Sequence, residues 1–118
     1  MNAFILDTPT SYGSVGMLRT LVNAGITFKA VHLNVKPMPT DSENSKEWPL
    51  IFDCLSDDRD NREFQVRIHM VTCGYNGTGP NDLIECLKIT GFGGYVSENT
   101  IYNSKEVIAT YVKWRGLL

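Results

Sequence analysis

The sequence predicts a small α+β domain, a mostly antiparallel sheet of about four strands packed against two or three helices, with residues 1–118 forming one unit. Three observations lead there. Residues 64–70 alternate strictly, Phe64, Val66, Ile68 and Met70 against Gln65, Arg67 and His69, which is the period of a strand with one buried face. Leu83, Ile84 and Leu87 recur at helical spacing between Pro80 and Gly91. The run Cys73-Gly74-Tyr75-Asn76-Gly77-Thr78-Gly79-Pro80 bends the first element into the second. With 42% apolar and 20% charged residues, the chain can bury about two-thirds of its extended surface in one core without a staple.

Ala3-Phe4-Ile5-Leu6 is an apolar run of strand length, and Pro9, the hydroxyls around it and Gly13 make a turn after it. Val15, Leu18 and Val22 share a face beside Leu21, a helix capped by Ser11 or Ser14 and stopped at Gly25. From Thr27 to Val35 both alternating faces are partly apolar, as in a strand paired centrally in a sheet. Lys36-Pro37-Met38-Pro39 ends it, and residues 40–47 are polar enough for a surface excursion. Residues 48–55 return to strand composition. Pro49 lacks an N–H and points to an edge position, with residues 64–70 as the hairpin partner across an acidic turn.

In the second helix Pro80 falls near the first position, where a missing N–H costs nothing, and Asp82 falls in the first turn, facing the positive end of the dipole. Gly91-Phe92-Gly93-Gly94 connects to a short strand at Tyr95-Val96. Asn103 and Glu106 have capping-box spacing, which predicts a last helix lined by Val107, Ile108, Tyr111, Val112 and Trp114.

Charge narrows the partners. The net charge is −2, yet residues 41–63 hold eight acids against three bases, and the scattered lysines and arginines elsewhere form no concentrated basic face for nucleic acid. No apolar run reaches the roughly 20 residues that cross a bilayer, so a soluble cytoplasmic protein is expected. Cys54, Cys73 and Cys86 match neither a disulfide framework nor a zinc site and read as reduced thiols.

No spacing assembles a catalytic set. The glycine run lacks the Gly-Lys-Ser/Thr ending of a phosphate loop, and Asp82 stands where a dinucleotide fingerprint needs its third glycine. Gly77 and Gly79 read first as suppliers of backbone shapes that side chains forbid. His32 and His69 stand alone on strands, and Asp53, Asp57, Asp58 and Asp60 lack a calcium-loop pattern, so no metal and no cofactor are expected. Tyr12, Tyr75 and Tyr95 lie beside glycine turns, where tyrosine makes a good protein-contact anchor.

The 73–84 segment resembles a Gly-Tyr-Gly-Gly-Ser/Thr-Gly-Pro motif of small uncharacterised bacterial and phage proteins, matched by Gly74, Tyr75, Gly77, Thr78, Gly79, Pro80 and Leu83, with Asn76 replacing a glycine. The resemblance covers about a tenth of the chain. It implies a turn-plus-helix module. The company such motifs keep implies a phage accessory protein that blocks a larger host protein, a defence enzyme such as an NAD-consuming one, in the bacterial cytoplasm.

Three functions follow from this reading. The first is a non-enzymatic inhibitor that docks through Asp57, Asp58 and Asp60 with Tyr12, Tyr75 and Tyr95, burying roughly 1,200 to 2,000 Å². The alternative is a small-nucleotide binder using Arg67 with the amides at Thr78 and Gly79. An enzyme comes third.

Overall fold

A computed structural model describes residues 2–6, 11–38, 48–56 and 62–113. Eight elements follow in order: β1 (Asn2–Leu6), α1 (Ser11–Asn23), β2 (Thr27–Val35), β3 (Leu50–Leu55), β4 (Glu63–Ile68), α2 (Thr78–Thr90), α3 (Glu98–Asn103) and β5 (Val107–Val112). The fold is α+β. Four strands run antiparallel in the order β4-β3-β2-β5, and β1 joins the outer side of β4 in parallel.

Alternation along the strands decides where the core sits. Val31, Leu33 and Val35 of β2, Leu50, Phe52 and Cys54 of β3, and Phe64, Val66 and Ile68 of β4 all point to one face and are buried there. Val15 and Leu18 of α1, Leu83, Ile84 and Leu87 of α2, and Ile101 of α3 close over the same side. Val22, predicted on the buried stripe of α1, is exposed near the end of that helix.

The second helix begins earlier than its proline suggested. Gly77 is the residue before it and α2 starts at Thr78, so Pro80 is its third residue, still within the first turn, whose N–H groups have no partner inside the helix. Asp82 therefore stands beyond the first turn and is largely buried, not exposed to the positive end of the dipole.

Two elements depart from the sequence reading. The strand at 48–55 is not an edge: β3 lies between β2 and β4. Pro49 stands immediately before the strand, a position where proline is tolerated, and its carbonyl accepts from the Asn34 N–H at 2.9 Å. The last helix and the strand at 95–96 are replaced by α3 and β5. Ser97 caps α3 by accepting from the Thr100 N–H. Residues 107–112 lie antiparallel beside β2, from Val107 opposite Val35 to Val112 opposite Ala30. A run of Val, Ile, Ala, Thr, Tyr and Val satisfies both periods, and the open edge of β2 selects the extended one. No helix among the described residues is long and apolar enough to cross a membrane.

Candidate functional site

The sheet face turned away from the helices carries the unexpected chemistry. Val66 and Ile68 face the core, so Gln65 and Arg67 face outward, and the same alternation sends out Ile51 and Asp53 of β3, His32 and Asn34 of β2, and Ile108, Thr110 and Val112 of β5. No described element packs over them.

A hydrogen-bonded row crosses this face. The Thr110 hydroxyl lies 3.1 Å from His32 Nδ1, and His32 Nε2 lies 2.8 Å from Asp53 Oδ2. The Gln65 amide donates to Asp53 Oδ1 at 2.9 Å, and Arg67 Nη2 donates to Gln65 Oε1 at 3.1 Å. The row spans β5, β2, β3 and β4, and its members are separated in sequence by up to 78 residues. Arg67 Nε is buried and has no partner among the described residues. Hydroxyl, imidazole and carboxylate in line is also the order in which a base activates a nucleophile. Nothing in the spacing of His32, Asp53 and Thr110 announces this row, because the strand register alone brings them together.

Burial alone would raise the Asp53 carboxyl, but the hydrogen bonds from His32 and Gln65, with the charges of His32 and Lys29, outweigh it and hold the group below its ordinary 3.8. A carboxyl whose folded pKa is depressed stabilises the fold fully above its unfolded value. That contribution disappears as pH falls through the folded one. Wild-type thermal stability is therefore expected to drop below about pH 4, while Asp53→Asn, on the order of 1 kcal/mol less stable at neutral pH, should show a shallower acid decline. Melting curves between about pH 2 and 7 check this; parallel curves for the two proteins would remove Asp53 from the acid response.

The residues singled out in the sequence do not assemble into one site. Arg67 lies on the outward face and Thr78 and Gly79 open α2 on the other, with the sheet between them, so the nucleotide pocket imagined from those three is not formed. Tyr75 and Tyr95 are both about two-fifths exposed, 43% and 42%, and so are not absorbed into the core. They stand beyond opposite ends of α2, whose 13 residues span about 20 Å at 1.5 Å each, and do not make one patch. Tyr95 belongs to a chain of rings, 5.6 Å from Phe92 and 5.4 Å from Tyr111. Tyr12 lies in α1 with its side chain outside the described residues, and Asp57, Asp58 and Asp60 also fall outside them.

The glycine motif is a self-packed turn. The Tyr75 hydroxyl meets the buried Thr72 hydroxyl at 2.7 Å, the ring lies against Gly77 where a Cβ would collide with it, and a Cβ at Gly79 would collide with the Thr72 side chain. The Tyr102 hydroxyl reaches the Asn81 side chain and ties α3 to the start of α2. Among the described residues no group of His, Cys, Asp and Glu could hold a metal ion.

All three cysteines are free and buried. Burial, with the Asp53 charge, pushes the Cys54 thiol up to about 12; burial, with Asp82 and Glu85, does the same at Cys86. Cys73 is raised by burial as well. Thiols held this way carry no nucleophilic thiolate at neutral pH.

The fold and this face define an α+β domain whose described helices cover one side of the sheet. Comparison with protein-family models, curated proteins and solved structures finds no match to the chain, so the chemistry is read from its own residues.

Proposed function

We propose that this chain is a non-enzymatic protein-binding domain that acts by occupying a larger protein, and that the outward face of its sheet is the contact surface. The observation that carries the reading is this face, left open by the described elements, where Ile108 and Val112 are each 63% exposed and border a row of hydrogen-bonding side chains. Apolar groups around a hydrogen-bonded polar row suit a protein partner, because the row fixes orientation while the aliphatics supply buried area. The resemblance of the 73–84 segment adds the partner class to try first, bacterial defence enzymes including NAD-consuming ones.

A catalytic use of the row is less favoured. The hollow beside it, about 160 Å³, is lined by Lys29, Ala30, Asp53, Cys54, Glu63, Phe64 and Val112, and leaves Thr110 outside. A substrate held there would not meet the hydroxyl.

Ile51, between His32 and Arg67 in register, is the discriminating position. Wild-type protein immobilised on resin should retain one stoichiometric bacterial protein, Ile51→Lys should release it, and Tyr75→Ala should keep it. Equal retention by wild type and Ile51→Lys, with native circular dichroism in both, would move the contact off this face.

A further inference from the structure

We propose that β5 is a dimerisation edge, and that two copies of this chain join through antiparallel pairing of their β5 strands about a two-fold axis at Thr110.

The backbone sets the register. The Lys113 N–H donates to the Lys29 carbonyl at 2.9 Å, and Lys29 and Lys113 continue the register that puts Ala30 opposite Val112 and Val35 opposite Val107. In an antiparallel ladder the groups of alternate residues turn to opposite sides, so Val107, Ala109, Tyr111 and Lys113 turn theirs towards β2. The N–H and C=O groups of Ile108, Thr110 and Val112 therefore point away from the sheet. Among the described residues β5 has only β2 as a neighbour.

An edge of this kind is normally blunted by lysine, proline or a bulge. Val107–Val112 contains none of these, and no charge of either sign. The stretch is also its own complement. Placing Thr110 opposite Thr110 of a second copy puts Ile108 opposite Val112 and Val112 opposite Ile108, each pair exchanging two main-chain hydrogen bonds through the outward groups. The two most exposed aliphatics of the outward face then pack on each other across the junction. On the helix side Ala109 faces Tyr111, small against large, and Tyr95, already 5.4 Å from Tyr111, extends over the copy's Ala109. No like charges are opposed anywhere along the paired stretch. A second copy is thus the occupant that satisfies the backbone, both side-chain faces and the charge pattern at once.

This inference draws on Ile108 and Val112, which also border the face proposed above, and its test is kept separate because Ile51 lies two strands in from the edge. The test uses the symmetry of the axis. In Thr110→Lys two ammonium groups would oppose each other, and in Thr110→Glu two carboxylates would, so each variant should sediment as a monomer, whereas wild type and an equimolar mixture of the two variants should sediment as dimers. Circular dichroism confirms that each variant keeps its fold, and Ile51→Lys should remain a dimer. A wild type that is monomeric up to its solubility limit would overturn the proposal. So would folded variants that stay dimeric alone, or a mixture that stays monomeric.

Discussion

Gly79→Val is expected to destabilise the protein by roughly 3 kcal/mol. A Cβ at Gly79 would stand 1.9 Å from Thr72 Oγ1 and 3.0 Å from the Tyr75 hydroxyl. Neither neighbour can easily withdraw: Thr72 is 2% exposed, and the two hydroxyls are hydrogen-bonded to each other at 2.7 Å. The sequence suggested a different cause, a left-handed backbone. Gly79 is instead an ordinary helical residue and is not among the glycines with positive φ, which are Gly25, Gly74, Gly91 and Gly94. Space excludes a side chain here. The two causes separate in a double-mutant cycle, because a steric conflict is relieved when Thr72→Ala is added to Gly79→Ala, whereas backbone strain would be indifferent to residue 72. Urea denaturation measures both; a Gly79→Val loss under about 1 kcal/mol would show that the turn yields.

Phe52→Ala is expected to cost about 3 to 5 kcal/mol. Phe52 is fully buried at the middle of β3, with the Phe28 ring edge-on at 5.3 Å and the Phe92 ring at 6.1 Å. Truncation removes the transfer free energy of the ring and both aromatic contacts, and leaves a void that β-strands on either side cannot close without breaking their ladders. Phe52→Leu should cost roughly half as much, since most of the volume is kept. Denaturant midpoints with unchanged slope would report a pure stability change. A loss below about 1.5 kcal/mol would mean that the core around Phe92 collapses into the space.

The reach of sequence reasoning is clearest where two signals agreed. Alternation and boundary residues together located β2 at Thr27–Val35, and the stripe of Leu83, Ile84 and Leu87 with Gly91 behind it located α2 and its buried side. Periodicity works there because one period fits and the other does not. Residues 107–112 satisfy both, and a local pattern cannot reveal that β2 has a vacant edge. Pro49 misled for a related reason: proline is excluded from the interior of a central strand but not from the position just before it, and where the strand starts depends on the partner segments.

The candidate site was less legible. Tyr75 and Tyr95, beside their glycine turns, are both exposed, but helix length keeps them apart. His32 looked solitary because its partners Asp53 and Thr110 come from other strands. Ile108 and Val112 were placed on a buried helix face, and the strand assignment turned them outward.

By itself the sequence determined the class of fold, the buried faces of β2 and β4 and the buried stripe of α2, because these depend on residue types at short, regular separations. Only the tertiary structure decided which strand is central, which edge stays open and which polar groups meet across the sheet. Those depend on register between segments far apart in the chain, and register is set by packing of the whole core.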